Sequence, residues 1–148
     1  MAKANRLAQY DPAKVAATWG AIPLLEGIAS GTFITLERSE RTWALDVGSD
    51  GEAARRRTNN FTGIVRFTLR NGSLTNNILT SALQADEITG TVVSPFLMSD
   101  FSGTTTWASP LAFLDGWPQE SFGTDESNRT WSLVCVPLIP LPGGSREL

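Results

Sequence analysis

The densest grouping of residues able to do chemistry lies between Asp46 and Arg57. Asp46, Asp50 and Glu52 surround the turn-forming run Gly48-Ser49-Asp50-Gly51, and Arg55-Arg56-Arg57 follow directly. Carboxylates around a glycine turn suggest a calcium loop. The EF-hand pattern needs oxygen ligands at its first, third and fifth positions, glycine at the sixth and glutamate at the twelfth. Counting from Asp46 puts Gly48 at the third and Arg57 at the twelfth. A cation in place of the bidentate carboxylate excludes calcium and leaves an acidic turn. The arginine triplet has the charge to hold phosphates. Yet acids crowd it, and no aromatic is interleaved before Phe61. It reads as a solvated loop, or as partners for the carboxylates of a neighbouring chain.

Other candidates fail on their own terms. Asp115 and Glu120 could act as the paired acid and base of a glycosidase, but nothing in the sequence fixes their separation. Asn60-Phe61-Thr62, Asn71-Gly72-Ser73 and Asn128-Arg129-Thr130 match the glycosylation pattern, and no secretion signal supports them. Five tryptophans could line a sugar groove, but Trp43 and Trp131 stand in alternating stretches that predict core positions. Trp117, before Pro118, is expected at an exposed contact surface. The chain has no histidine and one cysteine, Cys135, set in an apolar run that predicts a buried small hydrophobe. A Ser/His/Asp triad, a Cys/His pair and a zinc site of histidines or several cysteines are thereby excluded within one chain. The expectation is a protein that is not an enzyme and needs no cofactor or metal.

The elements that would carry these residues are mostly short strands. Val15–Ile22, Thr32–Arg38 and the alternation around Trp43, Leu45 and Val47 predict three. Gly63–Arg70 is the clearest, with Val65, Phe67 and Leu69 opposed to Arg66, Thr68 and Arg70. Further strands are expected over Thr91–Met98, Thr104–Ala108, Leu111–Leu114 and Arg129–Val136, with Pro137, Pro140, Pro142 and Gly143-Gly144 ending regular structure. One helix is expected, over residues 73–86. Ser73 stands at its N-cap, and Leu74, Ile78, Leu79, Ala82 and Leu83 follow at helical spacing. The segment from Gly48 to Asn60 has little apolar content and predicts a loop that orders on contact with another subunit.

This pattern predicts a mainly β fold, a two-sheet β-sandwich or barrel with one flanking α-helix. Its 148 residues form one domain, with a flexible arm over 1–12, a body over 13–144 and a tail over 145–148. Charged residues are 18%, below the about 25% of an average soluble domain, so much of the surface suits cover by other protein. The net charge of -3 argues against a DNA-gripping surface, and no stretch is apolar over a membrane-spanning length.

Several runs together resemble the tail-tube proteins of contractile-tailed bacteriophages. The first is Val47 to Arg55, followed by Thr58-Asn59-Asn60-Phe61-Thr62-Gly63 and the strand ending at Leu69. Ser73-Leu74-Thr75-Asn76-Asn77-Ile78-Leu79 is similar to that family's S-x-x-N-x-x-L helix. Asp100-Phe101-Ser102-Gly103-Thr104 resembles its D-x-S-G-T hairpin, and Arg129-Thr130-Trp131-Ser132-Leu133 its R-x-W-x-L last strand. The resemblance spans roughly residues 30 to 144.

It implies a structural virion protein, assembled in the host cytoplasm, whose hexameric rings stack into the inner tube that conducts DNA. It implies partners in the tail sheath, baseplate and tape-measure proteins, and no catalytic residues. A non-polymerising β-sandwich module for binding or decoration of a virion shares the composition, and a carboxylate-only enzyme is a third class. Asp50, Glu52, Arg55, Arg56, Arg57 and Trp117 are the expected subunit contacts. Between Arg70 and Arg129 there is no lysine or arginine, while seven acids fall there. Asp86, Glu87, Asp100 and Asp115 among them are the expected lumen-facing acids, since a conduit must not bind the DNA it conducts.

Overall fold

The computed structural model describes residues 7–144 and the pair Arg146–Glu147. The strand β7 (Gly63–Arg70) forms as its alternation dictates, with Gly63, Val65, Phe67 and Leu69 buried. It pairs antiparallel along its whole length with β10 (Asn128–Cys135), which sets Trp131 opposite Phe67 and Leu133 opposite Val65. On the other face of the same pair Thr68 and Thr130 join hydroxyls at 3.1 Å. Gly63 stands opposite Cys135 for a steric reason. A Cβ there would come within 2.5 Å of Leu138 Cδ2 and 2.7 Å of the Glu37 carbonyl oxygen.

Around this pair runs one antiparallel sheet. β4 (Ile34–Arg38) borders β7, and β9 (Thr106–Leu114) borders β10. β8 (Ser94–Asp100), β2 (Val15–Trp19) and β3 (Ile22–Pro23) complete the path, while β11 (Ile139–Leu141) lies along the first part of β9. Strands from across the path bury one face in a single cluster that includes Trp19, Phe67, Phe96, Leu114 and Trp131. A sheet with one core for so many strands must bend back on itself. The helix α1 (Thr75–Thr89) packs Leu79 and Leu83 into the same cluster. The fold is mainly β with a single helix, as the sequence predicts.

Boundaries differ where local chemistry was misread. Val15–Ile22 is two strands, because Gly20 turns the chain at φ 60° and Ile22 comes back beside Trp19. The strand expected from Thr91 starts at Ser94. Thr104–Ala108 and Leu111–Leu114 are one strand, β9. Ser94 pairs with Ala112 but Phe96 with Ser109, so Pro95 faces two residues, Pro110 and Leu111. Such a bulge accommodates prolines that have no N–H to donate. Regular structure also resumes after Pro137, with Pro140 inside β11 on the outside of β9.

The helix entrance is also not the one expected. Ser73 makes no cap; its hydroxyl donates to the Glu26 carbonyl at 2.6 Å, and Leu74 holds the N-cap position with no side-chain bond. Asn76 anchors the first turn, donating from Nδ2 to the Arg70 carbonyl and accepting at Oδ1 from Trp131 Nε1 at 2.9 Å. Leu74 and Ile78, expected on the core face, are exposed. The helix runs a turn past Asp86 and stops at Gly90, whose left-handed φ of 66° suits glycine.

Two small pairings remain. β1 (Ala8–Gln9) pairs with β12 (Arg146–Glu147), and Asp11 exchanges hydrogen bonds with Ser102. The first six residues of the expected arm, and Ser145 and Leu148 of the expected tail, lie outside the described residues. The second pairing, β5 (Trp43–Val47) with β6 (Ala53–Arg57), corrects the expectation of a loop from Gly48 to Asn60. An Ala-Ala-Arg-Arg-Arg run has little strand preference of its own, and its pairing with β5 supplies the order.

Candidate functional site

No clustered His, Cys, Asp and Glu groups that could hold a metal occur among the described residues. Cys135 is fully buried, and burial pushes its thiol up from 9.0 to about 11, a hydrogen bond with Ser109 acting the other way. A thiol held protonated is a poor nucleophile. What the fold does build is a set of surfaces suited to contact with protein.

The first is the β5–β6 hairpin. β4 and β7 continue into it through Ser39 N–H to the Thr62 carbonyl and Thr58 N–H to the Thr42 carbonyl. The distal half is solvent-exposed along both strands, apart from the half-buried Ala44. Five residues at about 3.4 Å each make a ribbon roughly 17 Å long beyond the sheet. Trp43, Leu45 and Val47 share one face with their cross-strand partners Arg57, Arg55 and Ala53. Trp43 is therefore not core: it is 43% exposed, Leu45 is 70% and Val47 is 62%. The Arg55 guanidinium lies 3.8 Å over the Trp43 ring, and Arg38 and Arg57 flank Phe61 at the base. On the opposite face Arg56 pairs with Asp46 at 3.3 Å. The turn is local: Asp50 Oδ1 accepts from Glu52 N–H and Gly51 adopts φ 87°.

The second surface is the loop 115–127 between β9 and β10. Trp117 rests against Trp131 with ring centres 6.4 Å apart and donates from Nε1 to Glu87 at 2.6 Å. Glu120 pairs with Arg129 at 3.3 Å, and Asn71 donates to Ser127 Oγ. These ties pin the loop to α1 and to the ends of β7 and β10. Trp117 is nevertheless 48% exposed and Phe122 79% exposed. Asp115 and Asp125 are exposed carboxylates in the same loop.

The expected site residues thus fall into separate groups. Asp50, Glu52 and Arg55 to Arg57 lie together on the hairpin; Trp117 does not join them. Of the four acids expected at a lumen, Glu87 and Asp115 adjoin the 115–127 loop. Asp86 accepts from Val92 N–H where the helix ends, and Asp100 accepts from Ser102 N–H. Asp100 also borders a cleft of about 410 Å³ between β4 and β2, lined by Tyr10, Val15, Ile34, Leu36 and Met98. This cleft separates the two ends of the sheet path, β4 and the β2–β3 pair. Sequence reasoning missed Leu45, Val47 and Phe122. The signal for the first two was their place beside three arginines, a poor composition for a buried partner strand.

The comparison that carries most is structural. No protein-family profile matches the chain and no curated protein matches it. Solved structures do. A chain of the anti-feeding prophage cap, the tube terminating cap, superposes with a TM-score of 0.62 at 9% identity, over 91% of this chain and 92% of that one. A chain of the PVC extracellular contractile injection system, in its sheath/tube terminator in the extended state, gives 0.62 at 10% identity, over 90% and 97%. A chain of the PVC sheath-tube complex in the extended state gives 0.60 at 9%, over 90% and 91%. The chain shares their fold. At such low identity the likeness carries the architecture and no residue's role.

Proposed function

We propose that this chain is a structural subunit of a contractile tail or tail-like particle, forming hexameric rings that stack into an inner tube for DNA. The observation that carries the reading is the match of fold over nine-tenths of the chain with chains of tube, cap and sheath complexes. Two further features support it. The sheet path ends at β4 and at the short β3, leaving open backbone edges on a protein that otherwise buries its apolar face. Open edges invite pairing, and a closed ring removes them. The hairpin is a two-stranded ribbon, a structure of marginal stability without a partner.

In this role the protein is not an enzyme and takes no cofactor. The outward side of α1, with Leu74, Ile78 and Ile88 exposed, is offered to the sheath. Baseplate and tape-measure proteins meet the ends and interior of the tube. The wall facing DNA is short of cations; Asp86 and Glu87 lie on the helix offered to the sheath, which leaves Asp100 and Asp115 as the acids assigned to that wall. The second reading is a terminator, a ring that closes a tube without extending it, favoured by the likeness to chains of a tube terminating cap and of a sheath/tube terminator. Sedimentation velocity over a concentration series separates the readings. A tube subunit grows into a broad, fast-moving population, a terminator stops at one discrete oligomer, and a protein monomeric at high concentration contradicts both.

A further inference from the structure

The turn that closes β7 carries chemistry that a structural subunit does not call for. The Arg70 carbonyl accepts from Ser73 N–H at 3.0 Å, so Asn71 and Gly72 are the central residues of a four-residue turn. Asn71 ties this turn to the 115–127 loop. Its Nδ2 donates to Ser127 Oγ at 2.8 Å, and its main-chain N–H donates to the Ser127 carbonyl at 3.2 Å. Ser127 Oγ in turn donates to the Ser121 carbonyl. Asn71 Oδ1 is buried and has no partner among the described residues. One hydrogen bond therefore holds the side-chain amide in place.

Gly72 is the informative neighbour. Its φ is not left-handed, and a Cβ there would meet only Glu126 Oε1, at 3.6 Å. The fold does not require glycine at this position. Gly72 is exposed, and its N–H reaches Glu126 Oε1 only at 3.4 Å, longer than an ordinary N–H···O bond. What the missing side chain does supply is unobstructed approach of the Gly72 nitrogen to the Asn71 carboxamide. Asparagine is among the thermolabile residues, and this is the chain's one Asn-Gly pair.

We propose that Asn71 is a self-modification site, whose amide is lost to attack by the Gly72 nitrogen and whose product releases the 115–127 loop. The side chain first turns away from Ser127. A bond then forms between the Gly72 nitrogen and Asn71 Cγ, the Cγ–Nδ2 bond breaks, and Nδ2 leaves as ammonia with the proton given up by Gly72. One water opens the five-membered imide. Attack at the side-chain carbonyl gives aspartate, and attack at the main-chain carbonyl gives isoaspartate. The step needs no cofactor and no second molecule of the chain.

The product does not fit the site. A carboxylate only accepts, so the donor to Ser127 Oγ disappears. Charge at the buried Oδ1 position has no partner, which desolvation penalises. Glu126 beside Gly72 opposes a second negative charge. Isoaspartate also lengthens the main chain between Arg70 and Ser73 and breaks their turn. The loop is therefore freed from the end of β7.

Incubation of the purified protein at mildly alkaline pH tests this, with site-resolved peptide mapping by mass spectrometry and an isoaspartate methylation assay. The wild type should convert at Asn71 ahead of Asn60, Asn77 and Asn128, which precede Phe61, Ile78 and Arg129. In urea, where the Ser127 bond is gone, conversion at Asn71 should run faster. Gly72→Ala should keep the far-UV spectrum and melting of the wild type yet slow conversion about tenfold or more, as a displaced attacking atom does. Asn71→Asp, and the aged wild type separated by charge, should both exchange amide hydrogens faster over residues 115–127. The proposal is overturned if Asn71 stays intact in the folded protein while it converts in urea, or if Gly72→Ala converts as fast as the wild type. Aged protein that exchanges over 115–127 like the fresh protein also overturns it.

Discussion

Two buried residues show how much of this fold rests on single contacts. Asn76 is a polar side chain inside the core, and it satisfies the indole N–H of Trp131 and the carbonyl of Arg70 together. Asn76→Ala leaves that indole without a partner and should cost about 1–3 kcal/mol in urea denaturation, the usual penalty for an orphaned buried donor. Gly63→Ala drives a methyl into Leu138 and the Glu37 carbonyl, and overpacking of this kind costs roughly 1–3 kcal/mol. Cys135 gives a pH signature. Its folded pKa, about 11, lies above the 9.0 of the free thiol, so the unfolded chain loses the proton first as pH rises. Stability is untouched below pH 9 and should fall by up to about 3 kcal/mol between pH 9 and 11. Cys135→Ala should lack that extra fall when the two proteins are compared across the same pH series.

At the level of elements, the sequence was most legible where one face is buried and the other wet. Gly63–Arg70 and Asn128–Cys135 alternate buried with wetter positions, and both were readable as strands, although their pairing with each other was not. It was least legible where order comes from a distant partner. Ser73 has the ideal type for a helix cap, but the Glu26 carbonyl, remote in sequence, takes its hydroxyl. Nothing local marks Ala53–Arg57 as a strand, and only its pairing with Trp43–Val47 makes it one. Trp43 illustrates the same limit: alternation told that it shares a face with Leu45 and Val47, not that the face lacks a core behind it. For the candidate site, the residue types were visible and the grouping was not. Trp117 and the arginines were expected at contacts, but their separation to opposite ends of a strand block needs the register of β7 against β10. Since the hairpin's distal half scarcely packs on the body, replacing residues 43–57 by a short turn should leave thermal unfolding nearly unchanged while abolishing higher assembly.

For the whole molecule, composition and architecture lead to the same account. A chain with 18% charged residues buries one sheet-and-helix core, and still exposes Leu45, Val47, Phe122, Leu141 and Ile88. Such surface is costly for a protein that stays alone and useful for one that is covered on every side. A conduit should also be indifferent to its cargo. Assembled tubes are expected to show no DNA retention in a filter or gel assay at physiological salt, and salt-sensitive binding would place cations in the channel wall. The central claim, that this chain builds a hollow tube from six-membered rings, is tested most directly by electron microscopy of the purified protein. The account predicts cylinders with a stain-filled axial channel and six-fold end views, lengthening with concentration. Discrete particles without a channel at every concentration would contradict it.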